Sequence, residues 1–197
     1  YSSYHEFSQD PIIYNPQDLW VQWGIDVINY CKPHVIGTMH ETTGVVSFQE
    51  LYDFNYRCTT TWRGIDPSIW CMVYGGCWSN GGDGDPLKVW KTMPLPFEHI
   101  YYDMHLYYRP DKSSSGWTRA YEDGNFALGK QLLYEKLDGR FGSLENVWYG
   151  EFGGWRKRQL KHEIPNWNVV LKDVYDYCRQ RDIGCSQYAF SKATFAM

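Results

Sequence analysis

At 197 residues and 23.3 kDa, with a formal net charge of −4 and a pI near 5.8, the chain is long enough for one sizeable hydrophobic core, and a single domain over 1–197 is expected. Lys and Arg are scattered rather than clustered, which argues against nucleic acid or an anionic membrane surface as a partner. No apolar run approaches the length of a membrane span and no signal-peptide pattern is present, while Tyr1 is not an initiator, so a mature secreted chain or a piece of a longer one is expected.

In chain order, residues 16–31 place Leu19, Trp20, Trp23, Val27, Ile28 and Cys31 at helical spacing, with Asn15 as a cap before Pro16. A strand-like run over 35–39 follows and ends just before His40 and Glu41. Ser47 with Glu50 three positions on is a capping-box pattern, which predicts a helix running to about Cys58. A strand over 69–74 leads into a Gly- and Asp-rich loop over 80–86. Next come a strand over 99–107, a polar loop over 109–123 and a helix over about 125–138 that stops near Gly139. A strand over 145–151 is followed by a helix over 166–181 opening after Pro165. Val169, Val170, Val174 and Tyr177 form its apolar side, and Asn168 and Arg179 its polar side. A strand over 183–188 closes the pattern. Repeated strand–helix–strand units imply a parallel sheet and an α/β fold; no repeat of fixed period and no low-complexity tract interrupts it.

Two carboxylates stand out by position. Glu41 and Glu151 each end a short apolar, strand-like run, and carboxylates at the C-terminal ends of parallel strands can flank one bond. Taken singly, either would be read as an ordinary solvated side chain. In the run 102–107 the period-two alternation puts Asp103, His105 and Tyr107 on one face. Three polar groups on one face of so apolar a strand suit the wall of a site better than a core, although a lone His is more often structural. Aromatics make up 18% of the chain, with 10 Trp and 17 Tyr. A single Trp is usually core, yet Trp62, Trp78, Trp117 and Trp155, read at turns and strand ends, suit a cleft that stacks on flat sugar faces.

Other patterns carry less. His40-Glu41 opens like a zinc-protease helix, but Gly44 stands where the second His would be needed. Asn80, Asp83 and Asp85 resemble a calcium loop without its bidentate Glu, so a plain turn is expected there. No metal or cofactor is expected. Six cysteines, at 31, 58, 71, 77, 178 and 185, permit three disulfides in fifteen pairings, with buried free thiols the other reading.

His105-Leu106-Tyr107 and Gly150-Glu151-Phe152-Gly153, in that order and with helix-length spacers, resemble motifs of the clan A retaining glycoside hydrolases, most like the family 5 endoglucanases (cellulases). The resemblance implies a (β/α)8 TIM barrel of which this chain holds roughly strands three to eight. Glu151 would be the nucleophile at strand seven and Glu41 the acid/base after strand four, the pair lying about 5–5.5 Å apart for retaining hydrolysis of a β-1,4-linked polysaccharide. Cellulose or another β-glucan comes first, with mannan and xylan left open. Tyr107 would orient Glu151, and His5, His40, Trp78, His105, Trp155 and Tyr188 would bind sugar.

The chain departs from the family pattern in three places. His40-Glu41-Thr42 replaces Asn-Glu-Pro, so His40 must stand in for a donor to the sugar 2-hydroxyl. The stretch Gln187-Tyr188-Ala189-Phe190 replaces a Trp platform at strand eight. Strands one and two, with a substrate-site Arg, have no counterpart, strand three being expected near residues 1–7. Open strand edges are an aggregation hazard, so completion by self-association, another chain or a lost N-terminal region is expected. An extracellular location follows from the resemblance and the cysteine count. The competing class is a sugar-binding module that keeps the cleft and has lost turnover.

Overall fold

A computed structural model describes residues 16–38, 47–75, 87–108, 116–155, 166–187 and 195–196. The chain divides into two compact units, Tyr1–Asp103 with Ser143–Asn146, and Met104–Gly142 with Val147–Met197.

In the first unit, helix α1 (Pro16–Cys31) starts at the expected proline, its expected cap Asn15 lying outside the described residues. Its buried stripe differs from the expected one. Val21, Gly24 and Ile28 face inward, whereas Leu19 is 55% and Trp23 50% exposed and Cys31 is exposed. The cause is the way α1 meets helix α2 (Phe48–Ile65): a Cβ on Gly24 would lie 2.1 Å from the Trp62 ring. The missing side chain admits the indole, whose Nε1 donates to the Val21 carbonyl at 2.9 Å. Trp62 is thus a core residue and not a sugar platform.

The Ser47–Glu50 capping box forms as expected. Helix α2 continues past Cys58 to Ile65 because Leu51, Phe54, Asn55, Cys58, Thr59 and Trp62 make one buried stripe. Its burial outweighs the modest helix propensity of three successive threonines.

Strand β1 (Val35–Gly37) pairs in parallel with β2 (Trp70–Tyr74), and β2 with the first half of β3 (Ile100–Tyr108). A short helix, α3 (Lys88–Thr92), precedes β3 and was not expected. Three bonds fasten the exit from β1. The Thr38 N–H donates to the Met72 carbonyl at 2.9 Å, the Thr38 hydroxyl to Asn55, and the Trp20 indole to the Thr38 carbonyl. The chain is therefore held three residues before Glu41, which itself lies outside the described residues.

In the second unit, the polar stretch expected to be a loop over 109–123 contains helix α4 (Gly116–Glu122). Trp117, Thr118, Ala120 and Tyr121 are buried along it, an apolar face too short to stand out among polar neighbours. Trp117 packs against Tyr108 and Tyr121, so it too belongs to the core. Helix α5 (Phe126–Phe141) is capped by the Asn125 side chain and runs through Gly139. It ends at Gly142, whose φ of +55° suits a residue without a Cβ. Buried Arg140 and Phe141 hold the extra turn.

Strand β4 (Val147–Trp155), helix α6 (Trp167–Gln180) and strand β5 (Gly184–Gln187) complete the alternation. Val170, Val174 and Tyr177 are buried and Asn168 and Arg179 exposed, as expected for α6. β4 lies between β3 and β5, parallel to β5. An antiparallel two-residue strand, β6 (Phe195–Ala196), pairs with the end of β4 and was not anticipated. A buried network joins the helices: Tyr121 donates to Asp173 at 2.7 Å, and the Lys130 ammonium lies 3.0 Å from the same carboxylate.

Gly24→Ala is expected to destabilise the protein by about 2–3 kcal/mol, since a rigid indole and not a flexible tip occupies the space. Gly139→Ala, on an exposed helical position with nothing within 4 Å of a new Cβ, should stabilise it by about 0.5–1 kcal/mol. Urea unfolding of both variants checks the pair; equal effects would contradict the packing account.

Candidate active site

The site is built on β3 and β4. Along β3 the expected alternation holds, with Asp103 and His105 buried and Tyr107 half-buried. Strand β4 breaks its alternation. Tyr149 pairs with Cys185 and Phe152 with Gln187, so three steps on β4 match two on β5, which is a β-bulge. The ring of Tyr149 packs on Phe141 of α5 and on Phe152, and Phe152 packs on Tyr175 of α6. Both aromatics thus face the helices, although they stand three residues apart. Glu151, which strict alternation would align with Tyr149, is turned the other way.

On that side Glu151 meets β3. The Tyr107 hydroxyl donates to its Oε2, and His105 Nδ1 lies 3.5 Å from the same oxygen. Glu151 is only 6% exposed. A carboxylate so buried is costly unless donors hold it, and a hydroxyl aimed at one oxygen both stabilises the ionised form and fixes the plane of the group. The imidazole adds a formal ion pair whenever it is protonated.

The frame behind these three residues is also hydrogen-bonded. The Tyr149 hydroxyl donates at 2.8 Å to the carbonyl of Leu106, the residue between His105 and Tyr107. Burial pushes that hydroxyl well above its ordinary pKa, the Cys178 and Cys185 thiols push the same way and Arg140 opposes, so the donor proton stays on. Arg140 Nη1 reaches the His105 carbonyl at 3.5 Å.

Glu151, His105 and Tyr107 are therefore brought together as expected. Trp155 is the last residue of β4, its backbone paired with Phe195. Glu41, His5, His40, Trp78 and Tyr188 lie outside the described residues. Tyr149 and Arg140 support the site and were not foreseen. The available signal was Gly150 between two aromatics three apart, a spacing that fits a bulge better than a regular strand.

No family profile and no curated protein sequence matches the chain. Solved structures do. A β-glucanase from Saccharophagus degradans superposes with a TM-score of 0.63 at 16% identity, over 90% of this chain and 51% of that one. This chain has the fold of part of a (β/α)8 barrel. The catalytic domain of an endoglucanase from Thermobifida fusca gives 0.56 at 16% identity, covering 89% and 50%. That of the major endoglucanase from Xanthomonas campestris pv. campestris gives 0.59 at 17%, covering 91% and 56%. The first two proteins have also been solved in complex with cellotetraose. The chain spans about half the length of the structures it matches, and its similarity is to endoglucanases, as the motifs implied. Its five parallel strands, β1 to β5, take the places expected for barrel strands four to eight. The residues expected to form strand three are outside those described.

Tyr107→Phe removes a donor from a buried carboxylate and should lower stability by about 1–3 kcal/mol with the circular dichroism spectrum unchanged. Urea unfolding measures it, and an unchanged midpoint would mean that the hydroxyl does not support Glu151.

Proposed function

We propose that this chain carries the catalytic site of a retaining glycoside hydrolase acting on β-1,4-linked polysaccharide, cellulose or another β-glucan foremost. The observation that carries the reading is the buried Glu151, aimed by the bulge in β4 at the Tyr107 hydroxyl and His105 of the neighbouring strand. It lies in a fold shared with a β-glucanase and an endoglucanase that are each known with cellotetraose bound.

Glu151 is the nucleophile. Its carboxylate attacks the anomeric carbon while Glu41, as acid, protonates the departing glycosidic oxygen. Water then attacks the glycosyl-enzyme with Glu41 as base, releasing sugar with its anomeric configuration retained. Tyr107 holds Glu151 ionised and oriented before attack and takes back its full hydrogen bond when the carboxylate is released. His105 lines the same wall. His5 and His40 are assigned to sugar hydroxyls, and Trp78, Trp155 and Tyr188 to stacking on sugar faces. A polymeric substrate of this kind calls for an extracellular location.

The test is release of reducing ends from soluble β-1,4-glucans and mannans, wild type beside Glu151→Gln. Turnover is expected on glucan, falling by about a thousandfold or more in the variant. A folded wild-type chain that binds cello-oligosaccharides without releasing reducing ends would overturn the hydrolase reading in favour of a binding module.

A further inference from the structure

A cavity of about 260 Å³ lies within the first unit, lined from the end of α3, the start of β3 and the turn before β4. None of its residues has a part in the glycosidase reading. Its apolar lining includes Trp90, Ile100 and Tyr102, all buried, and half-buried Phe97. Its polar lining is Ser143, Glu145 and Asn146, all exposed, and half-buried Lys91. Polarity therefore rises from the inside outward, and one cation with one anion leaves the lining without net charge.

The walls are fixed by the backbone and by ring packing. The Tyr102 N–H donates to the Asn146 carbonyl at 3.0 Å, which ties the start of β3 to the turn before β4. The N–H groups of Lys91 and Met93 donate to the carbonyls of Leu87 and Val89 at 3.1 and 2.7 Å. The Trp90 and Tyr102 rings meet with centroids 5.9 Å apart, and Phe97 leans on Tyr56 of α2 at 5.1 Å.

Trp90 supplies an independent observation. Its Nε1 is buried and has no hydrogen-bond partner among the described residues. Trp62, equally buried, donates its Nε1 to the Val21 carbonyl, the usual arrangement for such a group. A buried donor without an acceptor is costly, so an acceptor that a ligand brings to it gains more than one met at the surface.

We propose that this cavity binds a single pyranose ring, from a free hexose or from the end of a β-glucan chain. A pyranose has the matching polarity, with flat C–H faces and a rim of hydroxyls. Its faces pack on the aromatic walls, one hydroxyl oxygen accepts from Trp90 Nε1, and the outer hydroxyls meet Ser143, Glu145 and Asn146. The volume falls short of the roughly 300–1,000 Å³ of sites for drug-sized ligands, which suits one ring and not several. A lining without net charge offers nothing extra to an ionic ligand, and a plain hydrocarbon would leave the Trp90 donor unanswered. This is a further site and not part of the cleavage site, since Ile100 and Tyr102 stand at the start of β3 and Tyr107 next to its end. Recognition of the ring does not depend on glycosidase activity; only the chain-end source rests on that reading.

The full chain, labelled with nitrogen-15, is titrated with D-glucose, with cellotriose in the Glu151→Gln background so that no cleavage intervenes, and with sorbitol, a polyol that has hydroxyls but no ring face. The resonances followed are the Trp90 indole N–H and the Tyr102 and Asn146 amides. A ligand of about a dozen non-hydrogen atoms predicts saturable shifts at these three groups with a midpoint of about 1–10 mM glucose, and no saturation with sorbitol. Cellotriose acting at equal or lower concentration identifies chain ends as the occupant, and a response to glucose alone identifies free sugar. Trp90→Phe keeps most of the ring and removes the donor, and should weaken binding about three- to tenfold. Glu145→Ala, at an exposed position, should weaken it about two- to fivefold with the melting temperature unchanged. Saturable shifts confined to His105, Tyr107 and the neighbours of residue 151 would support the cleavage site and overturn this one. No saturation up to about 100 mM of either sugar, an equal response to sorbitol, or full affinity in both variants would also overturn the proposal.

Discussion

The extra residue in β4 between Tyr149 and Phe152 is the constraint on which the site depends. Without it, the two aromatics could not both pack against the α5 and α6 side, and Glu151 would share a face with Tyr149. With it, Tyr149 and Phe152 are each about 1% exposed while the carboxylate is presented to β3. The energies are comparable. Burying a charge costs several kcal/mol before compensation, and full burial of two aromatic side chains contributes a similar sum. Tyr107 supplies the local part of that compensation, through a donor fixed in the adjacent strand. A buried carboxylate is thus held by a strand ladder and an apolar anchor on its other side, the kind of support that fixes a side chain in one orientation.

Each unit has its own fastening. In the first, the contact of Gly24 with Trp62 joins α1 to α2, and the bonds at Thr38 fix the end of β1. In the second, the hydrogen bonds of Tyr121 and Lys130 to Asp173 lock α4, α5 and α6 to one another. Those helices are the surface on which Phe141 and Tyr175 meet the two aromatics of β4. Glu151, His105 and Tyr107 sit at strand positions, and helices α5 and α6 pack against the aromatics that hold β4 in place.

Much of this was legible in the residues. The alternation of Asp103, His105 and Tyr107, the string around Glu151 and the Ser47–Glu50 box are local patterns with local causes, and each appears where it was read. The failures share a different cause: they are decided by a neighbour distant in sequence. Leu19 and Trp23 look like a core face by hydropathy, but α1 docks through a glycine, which no apolar count would select. Trp62 and Trp117 look like platforms until Val21, Tyr108 and Tyr121 are placed beside them. Gly139 reads as a helix stop, yet burial of Arg140 and Phe141 carries α5 on to Gly142. The bulge is the most instructive case: the sequence reading ended this strand at Glu151, whereas β4 runs on to Trp155, and the reading did not reveal why Glu151 turns away from Tyr149.

The most direct test of the central claim, that this bulge delivers Glu151 as a covalent nucleophile, is labelling with a 2-deoxy-2-fluoro-β-cellobioside carrying a good leaving group. The fluorine slows breakdown of a glycosyl-enzyme by disfavouring the oxocarbenium-like transition state, so the intermediate accumulates. Intact-mass and peptide analysis should show one cellobiosyl unit esterified to Glu151 and nowhere else. A label on a different carboxylate, or none in a sample that turns over cello-oligosaccharides, would contradict the account.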